Sequence, residues 1–165
     1  VIDNMLLGAA EQKGESLRNA LLPSRWQKQE KEILEKAEDL LERFKLSHMR
    51  DEYAATLSGG QRKLLEMARA LMSEPKLILL DEPMAGVNPV LVESLLVHIE
   101  NLRDEGVSVL FIEHDMDAIM GISDWIVVLA EGQVIAEGTP SDVSKNPAVI
   151  DAYLGSAIAE ELKDV

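Results

Sequence analysis

Residues 56–83 open with Thr56-Leu57-Ser58-Gly59-Gly60-Gln61, continue from Arg62 to Met72, and close on Pro75-Lys76-Leu77-Ile78-Leu79-Leu80-Asp81-Glu82-Pro83. Ser58 followed three residues later by Gln61 has the spacing of a capping box, which predicts a helix starting at Ser58 with Gly59 and Gly60 in its first turn. Such a start presents bare backbone N–H groups at the positive end of a helix dipole, and the two glycines let an anion approach without obstruction. Leu64, Leu65, Ala68, Leu71 and Met72 fall on one stripe of that helix, with Arg62, Lys63, Glu66 and Arg69 off it, so one face is expected to be buried.

Pro75 is expected to close the helix. The run Leu77-Ile78-Leu79-Leu80 is apolar without alternation, as in a central strand of a parallel sheet covered on both faces. Asp81 and Glu82 then stand at the strand's carboxyl end, where open α/β sheets gather their ligands. A carboxylate there suits a Mg²⁺ shell, and a neighbouring one suits the orientation or deprotonation of a water. Either string alone is satisfied by a plain helix cap or a solvated turn. Together, at this separation, Leu57-Ser58-Gly59-Gly60-Gln61 and Leu77-Ile78-Leu79-Leu80-Asp81-Glu82-Pro83 resemble the signature and Walker B motifs of the ATP-binding cassette (ABC) ATPases.

That resemblance implies an α/β fold of the P-loop NTPase type, in part: parallel core strands with flanking helices, plus a helical subdomain. It divides the chain into a partial helical subdomain at 1–56, the signature helix with the C-terminal half of a RecA-like catalytic core at 57–155, and an acidic mobile tail at 156–165. The implied cofactors are ATP and Mg²⁺, with Asp81 on the metal and Glu82 as catalytic base. Ser58, Gly59, Gly60 and Gln61 would meet the ATP γ-phosphate of an opposite subunit. The implied partners are a second ABC ATPase subunit and transmembrane permease subunits, with the chain on the cytoplasmic face of the cell membrane.

Downstream, Asn88 and Pro89 suit the N-cap and first position of a helix whose stripe is Leu91, Leu95, Leu96, Ile99 and Leu102. Val107 to Ile112 follows as a second strand, which predicts a parallel crossover. Residues 84–89 resemble the D-loop of the same family, with Asn88 where Asp is commonest. The form Ala85-Gly86-Val87-Asn88-Pro89 is similar to the branched-chain amino-acid importer subgroup. Two successive strands deliver His114 to the sheet edge that carries Asp81 and Glu82. The resemblance makes it the switch histidine at the γ-phosphate and attacking water. Asp115 suits an N-cap for residues 116–121, and His48 and His98 suit structural roles.

Before the signature, Trp26, Ile33, Leu34, Ala37, Leu40, Leu41 and Phe44 keep helical spacing among many Glu and Lys, predicting an amphipathic helix over 24–44 after a polar loop at 11–24. In the resemblance this is the helical subdomain, whose groove receives short helices of the membrane partner. Trp125 to Ala130 and Gln133 to Glu137, joined by Glu131-Gly132, predict a hairpin. Short helices are expected around 141–144 and 147–154.

Composition narrows the function classes. The 165 residues carry 30 acidic against 16 basic side chains, a net charge of −14 that opposes binding to nucleic acid. There is no cysteine, which excludes a thiol nucleophile or thiolate metal site in this sequence. No run approaches the about 20 apolar residues of a membrane span. No G-x-x-x-x-G-K-[ST] string occurs, so the loop that holds the β and γ phosphates is not in these residues. With Val1 in first place and residues 1–10 reading as the inside of a helical element, the expectation is part of a longer ATPase, inactive by itself. A lipid or lipopolysaccharide exporter ATPase, a soluble ABC ATPase, and a noncatalytic module lending its signature loop are the alternatives.

Overall fold

A computed structural model describes residues 1–10, 12 and 26–152. The expected loop over 11–24, apart from Gln12, and the expected tail over 156–165 lie outside them. The described chain divides into two compact units, Val1–Ile112 and Glu113 onward.

In the first unit, helix α1 (Ile2–Leu6) and helix α2 (Gln27–Arg43) pack against each other and against helix α3 (Gly59–Leu71). Helix α2 follows its predicted stripe, burying Ala37, Leu40 and Leu41, with Phe44 buried just beyond its end. It stops in a Schellman motif: Lys45 takes the left-handed conformation (φ 56°), its N–H donates to the Glu42 carbonyl, and the Leu46 N–H donates to Leu41. Leu41 and Leu46, which such a motif brings into contact, are each 1 % exposed. At about 1.5–3 kcal/mol for each fully buried aliphatic or aromatic side chain, this apolar ending outweighs the strain of a non-glycine residue at the turn.

Helix α3 buries the predicted Leu64, Leu65, Ala68, Leu71 and Met72, and also Met67, while Arg62, Glu66 and Arg69 stay exposed. Strand β1 (Leu77–Asp81), helix α4 (Pro89–Asp104) and strand β2 (Ser108–Ile112) follow, and the strands pair in parallel from Leu77 opposite Ser108 to Asp81 opposite Ile112. A parallel pair needs a crossover of this length, and α4, packed against β2, supplies it. Leu95, Ile99 and Leu102 are buried on α4 as predicted, with Leu91 and Leu96 half-buried.

The expectation that β1 is covered on both faces is corrected. Ile78 is buried, but Leu77 and Leu79 are 53 % and 67 % exposed, and on the same face of β2 Leu110 and Ile112 are 59 % and 62 % exposed. A two-stranded sheet with one flanking helix has cover for only one of its faces, and no described element of this unit lies over the other.

In the second unit, strands β3 (Ile126–Ala130) and β4 (Gln133–Gly138) form the predicted antiparallel hairpin, with a register shift between Val128 and Leu129. Glu131 and Gly132 both have positive φ, 49° and 77°, as a type I′ connection between right-twisted strands requires. Helix α5 (Met116–Ile122) precedes the hairpin, helix α6 (Pro140–Val143) follows it, and a last helical stretch covers 147–152. Ile126, Ala136, Val143 and Val149 form this unit's core, with Met116, Ile119 and Met120 packed around it.

Candidate functional site

The capping box at the start of α3 is complete. The Gln61 N–H donates to Ser58 Oγ at 3.3 Å, and the Ser58 N–H donates to Gln61 Oε1 at 2.9 Å. These reciprocal bonds use the Ser58 and Gln61 amides. The Gly59 and Gly60 amides have no carbonyl within the helix to reach, and an external acceptor is what would satisfy them. No acidic residue stands in this first turn. The helix dipole is therefore unopposed there, and a phosphate oxygen is the favoured acceptor. Arg62 steadies the approach by donating from Nη1 to the Leu57 carbonyl at 2.9 Å.

Asp81 ends β1 and Glu82 begins the loop after it, both exposed. The Glu82 N–H continues the ladder by donating to the Ile112 carbonyl at 2.9 Å, yet its φ is +44°. The other non-glycine residues with positive φ each have a local reason: Lys45 and Glu74 follow helix ends, and Glu131 sits in the hairpin turn. Glu82 leaves a strand directly into the left-handed region, at a penalty of about 1–3 kcal/mol that surrounding bonds must hold in place. Its carbonyl accepts the Ala85 N–H at 3.2 Å and the Lys63 ammonium at 3.3 Å. Asn88 caps α4, its Oδ1 accepting the Leu91 N–H at 3.0 Å, with Pro89 in the first turn.

The first unit thus brings the start of α3 against the loop that Glu82 opens. Gly60 is buried there: a methyl group in its place would stand 2.5 Å from Leu91 Cδ1 and 3.3 Å from Val87 Cγ1. The strings at 57–61 and 81–88, separate in sequence, are neighbours. Lys63, placed by its polarity among the residues off the buried stripe, is the residue that the sequence reading passed over. Nothing in a helical pattern distinguishes a solvated lysine from one that reaches a carbonyl.

His114 belongs to the second unit and is exposed on its surface. Its Nδ1 lies 3.8 Å from Glu113 Oε2, and its backbone N–H donates to the same oxygen at 3.3 Å. The Glu113 side chain is only 1 % exposed. Asp115 caps α5 as predicted, with Oδ1 accepting the Ala118 N–H. His98 is buried in the first unit, stacked on Phe44 with ring centroids 4.2 Å apart. Burial, then the charges of Arg43 and Lys45, hold it below its ordinary pKa. Its role is structural.

The donor set limits what metal fits. Among the described residues no group of three or more His, Asp or Glu could itself hold an ion. Mg²⁺ needs no such cage, because it keeps water and phosphate oxygens and takes one or two carboxylates. Asp81, exposed at a strand end, fits an ion that arrives with a nucleotide. No helix among the described residues is long and apolar enough to cross a membrane.

The family profile described as ABC transporter matches residues 5–85, and the one described as Branched-chain amino acid ATP-binding cassette transporter matches residues 133–159. The chain is 48% identical over 160 residues to the probable branched-chain amino acid transport ATP-binding protein LivG of Archaeoglobus fulgidus, covering 97% of this chain and 62% of that protein. It is 45% identical over 133 residues to the high-affinity branched-chain amino acid transport ATP-binding protein BraF of Pseudomonas aeruginosa, covering 80% of this chain and 52% of the relative. Among solved structures, a nucleotide-free ATP-binding cassette from an ABC transporter matches with a TM-score of 0.73 at 41% identity, over 92% of this chain and 61% of that one. The ADP conformation of such a cassette matches with a TM-score of 0.74 at 42% identity, over 93% of this chain and 62% of its own. The chain thus spans about three fifths of the length of most of these relatives, 62% of the Archaeoglobus protein.

Proposed function

Because this chain belongs to the ATP-binding cassette transporter family, we propose that it is part of the ATP-hydrolysing subunit that powers branched-chain amino-acid import. The observation that carries the reading is the juxtaposition, in one unit, of the free Gly59 and Gly60 amides, the Asp81–Glu82 pair at the carboxyl end of β1, and the loop that ends at Asn88. Family membership supports reading these groups as parts of nucleotide sites. The names of the Archaeoglobus and Pseudomonas relatives support the amino-acid cargo.

In this reading Asp81 would hold Mg²⁺, whose charge offsets that of the phosphates. Glu82 orients the attacking water and takes its proton, and His114 is the switch histidine at the γ-phosphate that the family resemblance implies. The amides of Gly59 and Gly60, with Ser58 and Gln61 fixing the helix start, serve the nucleotide of a second ATPase subunit, and the Asn88 loop lies at that interface. Fixed donors aimed at developing charge supply most of the rate. Permease subunits at the inner face of the cell membrane complete the machine.

The test joins this chain to the part of the Archaeoglobus relative that it does not span. With permease and amino acid present, the joined protein should hydrolyse ATP, and a Glu82→Gln version should not. Equal turnover in both would overturn the reading.

A further inference from the structure

Helix α3 touches both ends of the segment 82–91, which comprises the loop 82–88 and the first turn of α4. At one end the Lys63 ammonium donates to the Glu82 carbonyl at 3.3 Å; at the other, Gly60 packs so closely on Val87 and Leu91 that an added methyl group would stand 2.5 Å from Leu91 Cδ1. The Glu82 carbonyl is a sensitive point. It belongs to the peptide that links Glu82 to Pro83, so its direction sets ψ of a residue already in the left-handed region. Pro83 has no N–H with which to anchor that peptide from the far side. The Ala85 N–H alone would leave a single neutral bond at this corner. A bond from an ammonium is charge-assisted and stronger than a neutral one.

We propose that Lys63 is a positioning residue for Glu82: through the Glu82 carbonyl it holds the backbone from which the carboxylate is aimed, and it ties that aim to the start of α3. The proposal rests on the reading of Glu82 as the group that activates water. It implies that an acceptor pulling on the Gly59 and Gly60 amides also acts on the Glu82 peptide, since Lys63 lies one helical turn beyond them on the same rigid element.

Two measurements test it. In the 165-residue chain, residue-resolved amide exchange compares wild type with Lys63→Met, which keeps the aliphatic stem and removes the donor. The Ala85 amide should exchange at least about fivefold faster, while Val92, bonded to Asn88 within α4, keeps its rate. Lys63→Arg should restore the Ala85 rate. Unchanged exchange at Ala85, or acceleration at Val92 as well, would overturn the proposal, the second because it shows general loosening. In the joined protein, Lys63→Met should lower kcat by about tenfold to a hundredfold with KM for ATP within about twofold, and Lys63→Arg should recover most of it. A raised KM with kcat intact overturns the positioning role. Glu82→Gln, measured alongside, separates the two failures: if it stays active the Glu82 reading is wrong, and if it is dead while Lys63→Met is normal only the Lys63 proposal falls.

Discussion

The proposed function gives the adjacent carboxylates Glu82 and Asp81 different tasks, and substitution should separate them. Glu82→Gln keeps the shape but cannot accept a proton, so in the joined protein kcat should fall by about 10²-fold or more while ATP binding persists. Asp81→Asn should instead raise the Mg²⁺ concentration needed for half-maximal turnover, read from a Mg²⁺ titration, because it removes charge from the proposed ligand. Identical phenotypes would show that the roles are not divided this way. His98 carries a separate expectation about stability. Its folded pKa lies below its ordinary 6.5, so between those values the unfolded chain binds a proton that the folded chain refuses. Stability then rises with pH across that window, and acidification from neutrality removes it, beginning near 6.5 and finishing below the folded value. His98→Leu, which fills the same site without titrating, should flatten the dependence of the urea midpoint on pH between 7 and 5. A slope unchanged by the substitution would point to other groups.

At the scale of elements, two glycines mark close approaches of unequal tolerance. A methyl group at Gly8 would run into the backbone carbonyl of Arg69 and stand 2.8 Å from Arg69 Cγ, on the last turn of α3. At Gly60 the nearest obstacle is Leu91 Cδ1, the far end of a side chain that can turn aside. Gly8→Ala should therefore destabilise the chain by about 1–3 kcal/mol, as overpacking against a fixed wall does. Gly60→Ala should destabilise it less, and Leu91→Ala beside it should recover part of the loss. Urea unfolding of the two variants gives the order directly, and the reverse order would show that α3 yields at its C-terminal turn more easily than Leu91 does. The ion pairs between elements matter less. Lys36–Glu74 at 2.6 Å and Arg43–Glu105 at 2.9 Å are largely solvated on their acidic side, so solvent screening leaves each a minor contribution.

Two outcomes belong to the molecule as a whole. The 165-residue chain alone should neither bind ATP with micromolar affinity in calorimetry nor hydrolyse it, since no string in it can cradle the β and γ phosphates. It should also self-associate, because Leu77, Leu79, Leu110 and Ile112 form one exposed apolar face on a sheet with open edges. A monodisperse monomer in analytical ultracentrifugation would count against that. The proposed trans role of Ser58 to Gln61 is testable by mixing two inactive joined proteins, one carrying Ser58→Arg with Gly59→Asp and the other Glu82→Gln. A mixed dimer holds one intact pair, so turnover should return to about half of wild type per mixed dimer if two equal sites act independently. No recovery, with mixed dimers shown by pull-down, would place the signature in cis or require both sites intact.

Local chemistry was legible in the order of the residues. Ser58 with Gln61, Asn88 with Pro89, Asp115, and Glu131-Gly132 all act over a few residues, so their bonds depend on neighbours in the chain. The stripes of α2, α3 and α4 were legible for a similar reason, because a helix's period is set by its own backbone. The apolar run of β1 was read as a strand correctly and as doubly covered incorrectly. Its composition records the faces that a strand is suited to bury, whereas cover depends on which other elements are present. The left-handed Glu82, the reach of Lys63 to its carbonyl, and the tight seat of Gly60 on Leu91 were decided by tertiary structure alone. Each depends on contacts between residues 19 or more apart or on how a strand meets the loop after it, and no spacing rule carries that distance.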